Sequence, residues 1–469
     1  MLYNDTIAAI ATPPGEGGLG VIRLSGSQSL AILQQIFVPV RAGRWKPFRL
    51  RLGRIIDTDC TTIDEALAVL MKAPRSFTGE DVVELSCHGG PLVLGRVLGR
   101  TLACGARLAT AGEFTMRAFL NGRIDLTQAE ATLDVITART TSGLALAQAQ
   151  LGGWLASELH DIRELVLGPL AYCTALVDFP EDELEQHPIA EPLREALTRL
   201  ERLLATADQG IVYRQGARAA IIGRPNAGKS SLLNALLRAD RAIVTAIPGT
   251  TRDTLEETAS LGGVPVVLID TAGIAETSDL VEQIGIGRSR SALAGADLAL
   301  LLIDVQNPHP ADAEIAALTV GKPTILVLNK IDLLPDPDQH VQTQDFASVH
   351  ALHALIEGLA RQTPFDGMIA ISALTGQGID ELGQTVARLL LGGVAPSGAH
   401  LITNPRHRDA LTRVIGHVRD ALDAHGRGIP HDLLGIDLTA ALVALGEITG
   451  ETIGDELLNA IFSRFCIGK

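Results

Sequence analysis

The segment Gly223-Arg224-Pro225-Asn226-Ala227-Gly228-Lys229-Ser230 constrains this chain more than any other. It fits the pattern G-x-x-x-x-G-K-[ST]. The apolar run Ala219-Ala220-Ile221-Ile222 precedes it, and the helix-forming stretch Ser231-Leu232-Leu233-Asn234-Ala235-Leu236-Leu237 follows. Strand, glycine turn and helix in that order make a phosphate cradle. The glycines let backbone N–H groups close on phosphate oxygens, and the helix N-terminus adds positive partial charge. Lys229 is expected on the β and γ phosphates, and the Ser230 hydroxyl on Mg²⁺. The bland alternative is a glycine turn without nucleotide. The flanking strand and helix weigh against it at odds of about twenty to one.

Three further motifs follow in order, each after an apolar run. Asp270-Thr271-Ala272-Gly273 comes after Val266 to Ile269. An Asp there holds the Mg²⁺ shell, and the Gly273 N–H senses a γ-phosphate. Asn329-Lys330-Ile331-Asp332 comes after Ile325 to Leu328 and resembles the guanine-reading N-K-x-D of the GTPase superfamily. Asp332 accepts from guanine N1 and N2 hydrogens, which adenine lacks. Ser372-Ala373-Leu374, after Met368 to Ile371, resembles the last base-contacting loop of that superfamily. Thr250-Thr251-Arg252-Asp253 lies between the first two motifs, with Thr251 set to bind Mg²⁺, so this loop is expected to switch with the nucleotide. The place where many GTPases carry a water-positioning Gln holds Ile274. Glu276, Glu282 and Gln283 are the polar candidates for that task, and the residues alone do not choose between them. Arg224 and Arg252 are candidate arginine fingers. The bland reading of each, a solvent-facing or salt-bridging arginine, carries more weight.

Length, composition and pattern bound the rest. A chain of 469 residues with 46% hydrophobic content has room for two to four cores, and 3% aromatics makes those cores aliphatic. Residues 1 to about 120 mix short strand-like runs with glycines and read as α+β, with a helix from Pro91 to Leu102. From Asp125 to about Gln209 apolar residues fall at helical spacing, as in Leu144, Ala147, Leu151, Leu155, Leu159 and Ile162, with Pro169, Pro180, Pro188 and Pro192 punctuating them. Residues 217 to 375 alternate helices with apolar runs suited to a mainly parallel sheet buried on both faces. Helical spacing returns from Gly378. One helical domain interrupted by the nucleotide unit is the economical inference, with two separate helical domains as the alternative.

The net charge of −15 argues against a general nucleic-acid coat but leaves room for a local basic patch. Cys60, Cys87, Cys104, Cys173 and Cys466 show no C-x-x-C spacing, which argues against disulfides or a zinc site. No apolar run of about 20 residues reads as a membrane span. Met1-Leu2-Tyr3-Asn4-Asp5 lacks the features of a signal peptide, so a cytoplasmic location is expected. Gly15-Glu16-Gly17-Gly18-Leu19-Gly20 fits G-x-G-x-x-G but lacks the strand before it and the helix after it. It fails the dinucleotide context and reads as a turn.

The whole chain resembles the MnmE (TrmE) family of tRNA-modification GTPases. The resemblance is carried by Asn4-Asp5-Thr6-Ile7, Ala11-Thr12-Pro13-Pro14, Ser76-Phe77-Thr78-Gly79-Glu80-Asp81, His88-Gly89-Gly90-Pro91, Gly112-Glu113-Phe114-Thr115, the nucleotide motifs and the terminal Phe465-Cys466-Ile467-Gly468-Lys469. It implies a multidomain α/β chain. An α+β folate-binding and dimerising domain would cover 1–120, and a discontinuous α-helical domain 121–214 and 378–469. A Ras-like P-loop GTPase domain with a mainly parallel sheet would be inserted at 215–377. It implies a homodimer that works with an FAD-dependent partner, MnmG (GidA), on tRNA, with no membrane partner. The activity implied is GTP hydrolysis tied to an aminomethyl or carboxymethylaminomethyl group at C5 of the wobble uridine. The one-carbon donor would be 5-formyl- or 5,10-methylene-tetrahydrofolate.

The same resemblance assigns roles. Asn226 matches the family's K⁺-binding asparagine, and Thr245-Ala246-Ile247-Pro248-Gly249-Thr250 matches the loop that completes that site, with Thr245, Ile247 and Thr250 as ligands. Glu282 matches the glutamate that orients water. The GTP contacts implied are Asn226 through Ser231, Thr245 through Thr251, Asp270 through Gly273, Asn329, Lys330, Asp332, Ser372 and Ala373. Folate contacts fall on Arg23, Glu84, Arg123 and Lys469, with Arg123 standing where a lysine is common. Cys466 is the further candidate near the chemistry, a structural role being its bland reading. A competing reading is a switch GTPase of ribosome assembly without a modification role, which would lack the N-terminal domain and the C-I-G-K tail. A membrane-remodelling GTPase would need a basic amphipathic segment that is missing here.

Overall fold

Alternation of buried with less buried residues runs through much of the N-terminal sheet. In this computed structural model, which describes residues 5–179, 187–239, 257–270, 290, 292–334, 343–393 and 400–469, the first strands are β1 (Ile7–Ile10), β2 (Gly17–Ser25), β3 (Phe37–Pro39), β4 (Arg51–Ile56), β5 (Thr62–Met71), β6 (Val82–Gly89) and β7 (Arg107–Leu108). They form one sheet in the order β3-β4-β5-β6-β2-β1-β7. Its pairs are antiparallel except that β7 runs parallel to β1. Ile22 and Leu24 of β2, and Val83 and Leu85 of β6, pack with residues of the helices Ser29–Ile36 and Pro91–Ala103. Side chains alternate along a strand, so Arg23 and Glu84, paired in register, stand on the opposite face. The glycines from Gly15 to Gly20 are not simply a turn. β2 starts at Gly17, with a register shift before Gly20. A Cβ at Gly20 would lie 2.5 Å from Leu94 Cδ1, so glycine lets the helix Pro91–Ala103 close on the sheet.

The second sheet contains β8 (Ala217–Gly223), β9 (Glu257–Leu261), β10 (Val264–Asp270), β11 (Leu298–Asp304), β12 (Thr324–Asn329) and β13 (Gly367–Ile371). Their order is β13-β12-β11-β8-β10-β9, parallel throughout except that β9 is antiparallel to β10. Two faces are buried, which explains the unbroken apolar runs. Ala219 and Ile221 enter one core with Leu232, Leu236, Leu382 and Val386, while Ala220 and Ile222 enter the other with Ala316 and Leu359. The helix Ile379–Leu390 packs on β9, β13 and the helix Lys229–Ala239. The boundary expected at 377/378 therefore falls too early: this helix belongs with the nucleotide sheet, because its apolar stripe covers that sheet rather than the helical bundle.

The helices Trp154–Asp178, Ala190–Leu204, Pro405–Gly426 and His431–Thr449 pack as a bundle. Leu159, Ile162, Leu193 and Leu200 from before the nucleotide sheet share one core with Leu411, Val414, Leu438 and Leu445 from after it. One interrupted helical unit, not two, accounts for that core. Pro169, expected to end a helix, lies inside Trp154–Asp178 and is buried. Beyond the bundle, Leu458, Phe462 and Phe465 pack on Leu126 and Ala129, which carries the chain back to the N-terminal sheet. Among the described residues no helix is long and apolar enough to cross a membrane.

Candidate nucleotide and anion sites

The phosphate loop springs from the end of β8 into the helix Lys229–Ala239. Its path needs unusual backbone angles: Gly223 has φ +152°, Asn226 +64° and Gly228 +101°. Asn is among the few residues that tolerate the left-handed region, so Asn226 holds its place at low strain. The Lys229 Nζ donates to the Gly223 and Arg224 carbonyls, both at 2.9 Å, so the cation sits over the loop. Arg224 turns away, with its Nη1 donating to the Asn307 carbonyl at 3.1 Å and lying 3.8 Å from Asp312. That geometry is the salt-bridging role rather than a finger.

Asn329, at the end of β12, ties three loops together. Its Nδ2 donates to the Ala227 carbonyl at 2.9 Å, and its Oδ1 accepts from the Ala373 N–H at 3.0 Å. The phosphate loop, the N-K-x-D loop and the Ser372-Ala373 loop thus meet on one buried amide. A Cβ on Gly228 would fall 2.3 Å from the same Nδ2, which is why glycine stands there. Ser372 is buried, and its Oγ accepts from the Thr375 N–H at 3.1 Å, which closes the last loop. Lys330 has φ +71°, and its Nζ lies 2.6 Å from Asp304 Oδ2. Asp332 is exposed in the turn Ile331–Leu333. Ser230 and Ser231 lie in the first turn of the helix, both exposed. Thr245 through Thr251, Thr271 through Gly273, Ile274, Glu276, Glu282, Gln283 and Arg252 lie outside the described residues, and of Asp270 only the strand position is described.

On the N-terminal sheet the expected anion-binding residues converge in part. The Arg23 Nε donates to Glu84 Oε1 at 2.8 Å, and its Nη1 donates to the Gly468 carbonyl at 3.1 Å. Lys469 is half-buried there. Burial, and then the nearby Arg23 cation, push its amine below the usual lysine range. Arg23 and the Lys469 amine thus lie near one another on this face, a pair of cations of the kind that meets a ligand carrying carboxylates. Arg123 lies exposed just beyond the helix Glu113–Leu120. Cys466 is exposed beside this cluster in the chain.

Residues 126–466 match the family model described as the MnmE helical domain, and residues 6–123 match the model described as the GTP-binding protein TrmE N-terminus. A tRNA modification GTPase MnmE of Roseiflexus castenholzii is 65% identical over the full length of both chains. The protein of that name from Chloroflexus aurantiacus is 58% identical, over 99% of this chain and all of its own. The chain belongs to the MnmE (TrmE) family of GTPases. Among solved structures, a GTP-binding protein of Sulfolobus solfataricus in complex with GDP is 16% identical, spans 61% of this chain and 79% of its own, and has a TM-score of 0.28.

Three features of this MnmE-family site were missed in the sequence. The inner role of Asn329 as a brace depends on loops 102 and 44 residues away in the chain, so no local pattern shows it. The Asp304–Lys330 pair joins the ends of neighbouring strands; a mainly parallel sheet is expected from the sequence, but not that β11 and β12 are neighbours in it. Phe114, whose ring lies 5.8 Å from the Arg23 guanidinium, sits inside a family motif that carried no chemistry on its face.

Proposed function

We propose that this chain is a K⁺-stimulated, Mg²⁺-dependent GTP hydrolase of tRNA wobble-uridine modification. It would act as a homodimer with an FAD-dependent partner of the MnmG (GidA) kind. The product would be an aminomethyl or carboxymethylaminomethyl group at C5, built with a one-carbon unit from a tetrahydrofolate. The observation that carries the nucleotide part is the buried Asn329 amide, which holds the phosphate loop and the base-reading loops in one rigid frame. The tRNA part is supported by the relatives named tRNA modification GTPase MnmE, which match from end to end.

In this reading Lys229 and the loop N–H groups bind the phosphates, and Ser230 with Thr251 holds Mg²⁺. Asp332 selects guanine over adenine by accepting from its N1 and N2 hydrogens. Asn226 offers a neutral amide oxygen, a ligand type that suits a hard monovalent cation. Thr245, Ile247 and Thr250 are read as its fellow ligands. Bound there, K⁺ would offset charge on the transferring phosphoryl, as an arginine does elsewhere. Glu282, which the family resemblance picks out from Glu276 and Gln283, is read as orienting the attacking water, a task Ile274 has no polar group to perform.

GTP turnover is expected to run at least about tenfold faster in KCl than in NaCl, since the loss of one preorganised hydrogen-bond donor at a developing negative charge already costs a factor of about 100 or more. Glu282→Ala should abolish hydrolysis and still bind GTP. Equal rates in the two salts would sink the cation assignment. Nucleoside analysis of tRNA from cells lacking the gene tests the rest: an unmodified C5 at the wobble uridine is expected, and a normal one would favour a switch GTPase without a modification role.

A further inference from the structure

The end of the chain fits the N-terminal sheet closely. Ile467 forms a bridge with Ala111. The Gly112 N–H donates to the Cys466 carbonyl at 3.3 Å, and the Phe114 N–H to the Lys469 carbonyl at 3.2 Å. Gly468 has φ +95°, and a Cβ there would lie 2.4 Å from the Ile10 carbonyl oxygen. Gly112 has φ +66°, and its Cβ would lie 2.6 Å from the Phe462 carbonyl oxygen. In both cases the obstacle is backbone, which cannot swing aside, so both positions require glycine.

What this seat holds is Arg23. Glu84 engages its Nε, the Gly468 carbonyl engages Nη1, and the Phe114 ring lies 5.8 Å from the guanidinium carbon. Glu84 alone would leave the planar group free to pivot about a single hydrogen bond. A second acceptor on another edge and an aromatic neighbour fix its plane. One of these three partners comes from the sheet, one from the helix Glu113–Leu120, and one from a residue 445 positions away in the chain.

We propose that Gly468 and Phe114 are positioning residues for Arg23, so that the seated tail presets the guanidinium for an anionic ligand. The proposal rests on the folate reading of this site only for the ligand's identity. Coupling of this kind is reciprocal. A ligand that binds the preset Arg23 tightens the tail, and removal of the Arg23 side chain loosens it.

Arg464 is exposed, so trypsin cleavage after it releases Phe465–Lys469, which mass spectrometry reads on the full-length protein. Arg23→Ala and Gly468→Ala should each speed that release roughly fivefold or more. The double variant should release no faster than Gly468→Ala alone, because the two changes remove the same contact. Phe114→Leu, which removes the ring from this buried place, should also be faster. Wild-type release in Arg23→Ala, or fully additive effects in the double variant, would overturn the proposal. With 5-formyltetrahydrofolate as the probe, wild-type release should slow, and calorimetry should show Gly468→Ala binding at least about fivefold more weakly. Wild-type protein that ignores the probe while Arg23 and Gly468 remain coupled refutes the folate reading alone. Equal affinity in wild type and Gly468→Ala refutes the positioning role alone.

Discussion

At the scale of single residues, Asn329 carries the most consequence. It is 2% exposed, and both ends of its amide are committed to backbone. Asn329→Ala leaves a carbonyl and an N–H without these partners, at about 1–3 kcal/mol for each. Urea unfolding of the nucleotide domain should shift to lower concentration, and the affinity for a fluorescent GDP analogue should fall by more than about tenfold. Gly228→Ala should do similar damage by another route, since its Cβ would strike that amide and φ +101° is costly for alanine. The N-K-x-D pattern is legible in the sequence because each residue of it lies in one short loop. The bracing by Asn329 is not, because a brace is defined by what it touches across the fold. Asn226 falls between these cases: the motif marks its position, and its left-handed backbone appears only in the structure.

At the scale of elements, a buried ionic cluster joins the helices Leu126–Thr137 and Pro405–Gly426. Glu130 Oε2 lies 2.7 Å from Arg406 Nη2 and 2.8 Å from His407 Nε2. Burial would raise the Glu130 carboxyl, but His407 and Arg406 outweigh it and hold the group well below the usual carboxylate range. Burial pushes His407 below the usual histidine range. The sign follows from proton uptake. Below about pH 6.5 the unfolded chain binds a proton that folded His407 resists, so stability falls as pH falls. Glu130 adds a loss of the same sign below about pH 4.3. The urea midpoint should therefore drop between pH 7 and pH 5, and His407→Gln should flatten that drop near pH 6. Helical spacing revealed these helices, but not that a buried His and Glu would pin them together. Elements were otherwise misread where local signals compete with packing. Pro169 stays inside a helix because tertiary contacts outweigh its breaking tendency, and the glycines before Val21 extend a strand because the sheet pairs them with β6.

At the scale of the molecule, the mainly parallel sheet and its helices run from Ala217 to about Gly393 between two cores, one made wholly of their own residues and one that Leu146, Tyr213 and Leu401 of the flanking helical segments join. A fragment spanning 216–393 should fold alone and bind the fluorescent GDP analogue. A fragment ending at 216 should aggregate on gel filtration, because half of its bundle core is missing. Composition shifts marked the three regimes along the chain, since buried parallel strands and amphipathic helices differ in pattern. The helix Ile379–Leu390 escaped that reading, because helical spacing does not say which surface a stripe will cover. The shared core of the bundle also sets an order of events during synthesis. The helices Trp154–Asp178 and Ala190–Leu204 leave the ribosome long before Pro405–Gly426 and His431–Thr449 exist. With roughly 200 residues between them, their apolar faces wait on the order of 10–40 s at ordinary translation rates. The nucleotide domain can finish folding within that interval. The apolar faces of the early helices are thus uncovered over a defined stretch of synthesis, and slow codons within that stretch would lengthen their exposure.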